Sequence, residues 1–171
     1  MGINGLNDQS ILDVRQVISG KDGQIFVSTS AGDNIFLAEC DTFQAQLSPV
    51  NTDYQPVGSA LIYAVNTGYS VALTLSEVVV RDDVTMGPLI DDLKTGYFPA
   101  WNFEGKLRRR DGQEERIVYS WCIPDGTIDL QNLTPGELIK RSWSFRCNAT
   151  PSIIARFEGI SGLQSDLYGN R

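Results

Sequence analysis

The side chains that could carry chemistry in this 171-residue chain are few. They are three cysteines (Cys40, Cys122, Cys147) and three adjacent acidic pairs (Asp82-Asp83, Asp91-Asp92, Glu114-Glu115). There is no histidine at all. Its absence removes His-based catalytic triads, the commonest general base and the commonest zinc ligand. The cysteines lack metal-ligand spacing and have no imidazole to activate them. Odd in number and far apart in sequence, they read as reduced core thiols rather than a disulfide frame. Neighbouring acids point apart on a strand, so each pair reads as solvated surface rather than a proton-transfer site. "SGKDG" (19–23) lacks the spacing of a phosphate-binding loop and the hydroxyl residue after its lysine. Neither a catalytic residue, a metal site nor a cofactor site is expected, and the chain is not expected to be an enzyme.

Charge narrows the partners. The formal net charge is −7, and the single basic run, "KLRRR" (106–110), is followed at once by "DGQEE". Gripping nucleic acid needs clustered, unopposed Lys and Arg. This run is expected to be spent on solvated or inter-subunit ion pairs. The N-terminal "MGINGLNDQSILDV" has no basic segment leading into an apolar one, and no run approaches the ~18 apolar residues of a membrane span. Neither export by a leader nor stable membrane association is expected.

The elements that must hold these residues alternate with period two. "YSVALTLSEVVV" (69–80) sets Tyr69, Val71, Leu73 and Leu75 against Ser70, Ala72, Thr74 and Ser76. "WNFEGKL" (101–107), "ERIVYSWCI" (115–123) and "IKRSWSFRC" (139–147) repeat the pattern. In "ERIVYSWCI", Ile117, Tyr119, Trp121 and Ile123 fall on one side. Such alternation predicts half-buried antiparallel strands. Asp111-Gly112 predicts a hairpin turn, and Asp22-Gly23 a second one. "DVTMGPLIDDLKTG" (83–96) instead spaces Met86, Leu89, Ile90 and Leu93 as a short amphipathic helix, with Pro88 early and Gly96 at its end. The fold class is therefore all-β: an antiparallel sandwich or barrel of roughly eight strands with one short α-helix. Trp101, Trp121 and Trp143 all fall on apolar sides and are expected in the core, although three tryptophans could also form a sugar-stacking platform.

Three segments fall outside ordinary core and surface. Gln44, Gln46 and Ser48, with Ser70, Thr74 and Ser76, give strands a second face that is polar but barely charged. "SPVNTDYQPVGSALIYAVNTG" (48–68) reads as a long connection reaching a partner, with Tyr54 and Tyr63 as anchors. Residues 1–16 and 158–171 read as arms flanking a domain of residues 17–157. Their apolar anchors are Ile11, Leu12 and Val14 at one end and Leu167 and Tyr168 at the other.

"ISGKDGQIFV" (18–27), "TFQAQLSPVNTDYQPVG" (42–58) and "GYSVALTLSEVVV" (68–80), in this order, resemble the tail tube proteins of contractile-tailed, PBSX-like phages of Gram-positive hosts. The resemblance spans roughly residues 17–157. The chain departs from compact members in its longer arms and in "WCIPDGTIDLQNLTPGE" (121–137). The resemblance implies a virion tail subunit, assembled in the bacterial cytoplasm. Its subunits would form stacked hexameric rings whose inner sheets join into one continuous barrel. Such a tube would be a conduit for DNA, which passes without specific binding, or for membrane puncture by a bacteriocin-like particle. The partners implied are further copies of the chain, a contractile sheath protein, a baseplate or tube initiator and a tape measure protein. The polar face formed by Gln44, Gln46, Ser48, Ser70, Thr74 and Ser76 would line the lumen, because wide barrels enclose water. Ile11, Leu12, Val14, Tyr54, Tyr63, Leu167 and Tyr168 would make contacts between subunits or rings. The competing reading is a carbohydrate- or protein-binding β-sandwich module of a phage baseplate or adhesin.

Overall fold

A computed structural model describes residues 18–28, 34–36, 40–77, 82–110, 112–131 and 133–157. In chain order the elements are β1 (Gly23–Ser28), β2 (Asn34–Phe36), β3 (Cys40–Tyr54), β4 (Tyr63–Glu77), α1 (Gly87–Thr95), β5 (Trp101–Arg108), β6 (Glu114–Pro124), β7 (Arg141–Cys147) and β8 (Ser152–Ala155). All strand pairings are antiparallel, in the order β2-β1-β5-β6-β7-β4-β3. β8 follows β7 along the same side of β6. The fold is thus all-β, with one α-helix among the described residues, entered through a π-helical turn at Asp82–Met86.

The sheet curls over its own core. Phe43, on the β3 edge, lies 6.5 Å from Phe103 on β5 and 6.1 Å from Tyr119 on β6, ring centre to ring centre. Leu73, Leu75, Trp101, Phe103, Trp143 and Phe145, all essentially buried, form the core with them. Their rings meet edge-on or tilted, as at Trp101–Phe145 (5.5 Å) and Phe103–Phe145 (4.9 Å), or stack, as at Trp143–Phe145. Aromatic pairs in such geometries add to the burial of their area. The curl stops short of closure. A cleft of about 560 Å³, lined by Ile25, Cys40, Phe43, Leu107, Ile117 and Tyr119 among others, separates the start of β3 from β1, β5 and β6.

The β5–β6 hairpin turns where Asp111-Gly112 predicts it, with Gly112 at φ 92° and Arg109 N–H donating to Gln113 at 2.8 Å. Asp22-Gly23 does something else. Gly20–Asp22 form one tight turn, Asp22 Oδ2 accepts from Ser19 N–H at 3.2 Å, and Gly23 is already extended as the first residue of β1. The helix ends as expected at Gly96, at φ 85°, whose N–H reaches the Asp92 and Leu93 carbonyls. Only Leu89 and Met86 of its apolar stripe pack on the core, whereas Ile90 and Leu93 stay exposed beside Tyr97 and Phe98.

Two further expectations need correction. Trp121 is not a core residue. β5 and β6 pair Phe103 with Tyr119 but Trp101 with Cys122, so one extra β6 residue is accommodated there. Such a bulge reverses the alternation beyond it. Tyr119 and Cys122 both turn inward, and Trp121 is pushed out, two-thirds exposed and at φ 55°. The Asn102 side-chain oxygen accepts from Trp121 N–H at 3.0 Å and holds the bulge. Likewise, residues 48–68 are not a long loop. β3 and β4 stay paired out to Tyr54 and Tyr63, which face each other. Only residues 55–62 form a loop, internally tied by Gln55 Nε2 to Ser59 O (2.9 Å) and Ser59 N to Pro56 O (3.2 Å). The predicted arms, with Ile11, Leu12, Val14, Leu167 and Tyr168, lie outside the described residues.

Candidate assembly surfaces

The six polar positions come together on one face. Register pairs Gln44 with Thr74, Gln46 with Ala72 and Ser48 with Ser70, and Thr42 with Ser76. β7 extends the same face, pairing Ser142 with Ser76, Ser144 with Thr74 and Arg146 with Ala72. Paired residues share a side of the sheet, so three adjacent strands present hydroxyls, amides, one alanine and one arginine. The one formal charge among these register partners is Arg146, whose Nε is 3.2 Å from Asp125 Oδ2. The opposite face of these strands carries Leu73, Leu75, Trp143 and Phe145, all buried. Thr42, Ser142, Ser144 and Arg146 were not among the six. Their alternation was visible, but that β7 lies beside β4 is set by the tertiary register.

The far end of the β3–β4 hairpin is a different surface. β4 pairs with β7 only from Val71 onward, so residues 48–70 run past the sheet as a two-stranded ribbon. An irregularity at Val50/Asn51 adds Thr67 to β4. Asn66 Nδ2 secures it through Val50 O (3.3 Å), Asn51 Oδ1 (3.0 Å) and Gly68 O (3.2 Å). Chemistry swaps sides across it. The face that bears Gln44, Gln46 and Ser48 continues into the pairs Thr52/Val65 and Tyr54/Tyr63. The other face turns from Leu47/Val71 to Asn51/Asn66 and Asp53/Ala64. Tyr54, Leu61, Ile62, Tyr63 and Val65 are each about half exposed, and Val57 fully. A soluble monomer seldom leaves so many neighbouring large apolar groups in water.

Two more features belong to the surface. β3 has 15 residues and, among the described residues, pairs only with β4. Its other edge is a long row of main-chain donors and acceptors of the kind that recruits another strand. The segment between β6 and β7 exposes Leu130, Leu133, Leu138 and Ile139.

Several of the charged side chains make ordinary pairs. Lys106 bridges to Glu114 at 3.1 Å across the β5–β6 hairpin, and the Arg109 guanidinium sits 4.4 Å over the Phe157 ring. Lys94 meets Asp91 at 3.4 Å on the exposed side of α1. Among the described residues no group of three or more acidic or cysteine side chains could hold a metal ion, and no helix is long and apolar enough to cross a membrane.

No protein-family model matches the sequence, and no curated protein is similar to it at the sequence level. The fold does have relatives among solved structures. One is a chain from the sheath/tube terminator of the extracellular contractile injection system PVC in its extended state. It is 14% identical with a TM-score of 0.61, covering 83% of this chain and 99% of that one. A second comes from the PVC sheath–tube complex, 13% identical with a TM-score of 0.54, covering 91% and 99%. A third comes from the tail of an empty gene transfer agent particle with C6 symmetry, 15% identical with a TM-score of 0.57, covering 81% and 100%. The protein therefore has the fold of components of tails and contractile injection systems.

Proposed function

We propose that this chain is a structural tail subunit that polymerises as stacked hexameric rings into the hollow inner tube of a contractile tail. The observation that carries this reading is the nearly uncharged polar face shared by β3, β4 and β7. A face that is neither apolar nor charged suits the wall of a water-filled channel. Hydroxyls and amides hydrate such a wall, and with the subunit's net charge of −7 they give passing DNA nothing to hold. The β3 edge, which pairs with no second strand among the described residues, supports the same reading, since joining edges around a ring removes them. So does the swap of polarity along the hairpin. The ribbon leaves its own sheet with its apolar side reversed, which suits it to lie against a neighbouring copy. Tyr54 and Tyr63 are its anchors, and the arms bearing Ile11, Leu12, Val14, Leu167 and Tyr168 dock across the ring. Sheath, initiator and tape measure proteins are the partners this role requires. The tube serves DNA passage or membrane puncture, in a particle assembled in the bacterial cytoplasm.

A second reading is favoured by the similarity to a chain of the PVC sheath/tube terminator structure, which is as high as that to a chain of the sheath–tube complex. A terminator would close into one ring and grow no further. Size-exclusion chromatography with negative-stain electron microscopy at rising concentration separates the two. Hollow tubes support the tube subunit, and single rings that never stack support the terminator. A monomer at every concentration, even when seeded with preformed particles, sinks both and favours a binding module around the exposed Trp121.

A further inference from the structure

Cys122 and Cys147 are 25 positions apart in sequence yet directly opposite each other on β6 and β7, with their sulfurs 3.0 Å apart. Asn148 N–H donates to Trp121 O at 3.0 Å beside the pair. This pattern identifies a non-hydrogen-bonded antiparallel position, where facing Cα atoms are about 4.5 Å apart. That separation lies within the range a disulfide spans. We propose that Cys122 and Cys147 form a reversible dithiol/disulfide site that locks β6 to β7 when the protein meets an oxidising medium. Closing it brings the two sulfurs from 3.0 Å to a bond length of about 2.05 Å. Cys40, the third thiol, points its Sγ to Thr42 O at 3.1 Å and serves as an internal control.

The two thiols have different parts. Cys122 is fully buried, whereas Cys147 is partly open to solvent. The sulfur–sulfur contact holds the Cys147 thiol below its usual pKa, and that same contact together with burial pushes Cys122 up. The thiolate, the attacking species, therefore forms first at the accessible sulfur. Cys147 attacks one sulfur of a small external disulfide, whose S–S bond breaks and whose first half leaves as a thiol. Cys122 then gives up its proton and attacks the Cys147 sulfur of the mixed disulfide, expelling the second half as a thiol. Two protein thiols are oxidised by two electrons, and one external disulfide is reduced to two thiols.

The bond would sit immediately after the Trp121 bulge and fix the strand crossing that supports Ser144 and Arg146 on the polar face. Timing follows from the tube reading alone: assembly in a reducing cell, then locking after release. The thiol chemistry itself stands without that reading.

The test uses unassembled full-length protein incubated with oxidised glutathione and then alkylated. Intact mass should show the protein short of two hydrogens with one alkylated thiol, and tryptic mapping should join the Cys122 and Cys147 peptides. A reducing agent should reverse this, and the oxidised form should melt higher by roughly 5–10 °C. Cys147→Ser should retain the fold by circular dichroism and lose the crosslink. Three alkylated thiols in the folded protein, a stable glutathione adduct, or a crosslink through Cys40 would each overturn the proposal. Failure to form tubes would leave it untouched.

Discussion

At the scale of single residues, the three tryptophans separate what alternation can and cannot reveal. Trp101 and Trp143 each sit at about 1% exposure in the aromatic core, whereas Trp121 is 66% exposed at φ 55°. Left-handed backbone costs a non-glycine residue roughly 1–2 kcal/mol, and an exposed ring recovers little of it. Trp121→Gly should therefore leave monomer stability within about 1 kcal/mol of the parent in urea unfolding, gaining at φ and losing chain entropy. Trp101→Ala should cost about 3–5 kcal/mol. Equal losses at the two sites would mean that the bulge is not as described. The sequence places all three tryptophans on apolar sides, and two are buried there. The third is displaced because Asn102, on the neighbouring strand, holds the bulge, and nothing in the β6 sequence announces that partner. The thiols were hidden for the same reason: Cys122 and Cys147 look remote until β6 and β7 are in register.

At the scale of elements, β4 was the most legible strand. Its alternation runs unbroken from Ser70 to Leu75, so its polar and apolar faces could be read directly. The hairpin beyond it was obscured by Pro49, Asn51, Pro56, Asn66 and Gly68, which are residues of turns. Here Asn66 instead uses its amide to stabilise an irregular but continuous ribbon. The ribbon tip is where assembly is most open to attack. Tyr54→Asp with Tyr63→Asp places two like charges directly opposite each other, at side chains about half exposed. Monomer unfolding should shift by no more than about 1 kcal/mol, while sedimentation should show polymer replaced by small species. Polymer at parental levels would remove the hairpin from the assembly interface. The arms make a separate prediction. Deleting residues 1–14 should keep the far-ultraviolet circular dichroism of the fold and shorten or abolish tubes in negative stain. Tubes of normal length would leave the arm without that role.

At the scale of the whole molecule, the sheet is all antiparallel and not closed, with a 15-residue edge strand and several apolar surfaces facing water. A monomer with these properties is prone to associate, and a symmetric ring is the ordered way to satisfy both edge and patches. The all-β class with one helix was readable from period-two alternation and from the helical spacing of Met86, Leu89, Ile90 and Leu93. The curl that brings Phe43 over Phe103 and Tyr119 was not, because it depends on contacts between strands distant in sequence. The central claim is that the face bearing Gln44, Gln46, Ser48, Ser70, Thr74 and Ser76 lines an axial channel. A helical reconstruction of the assembled polymer by electron cryomicroscopy tests it most directly. The account predicts these six side chains on the innermost wall, with β3 joined edge to edge to the next subunit. A polymer whose channel is lined by another face, with Gln44 and Thr74 on its outer surface, would contradict it.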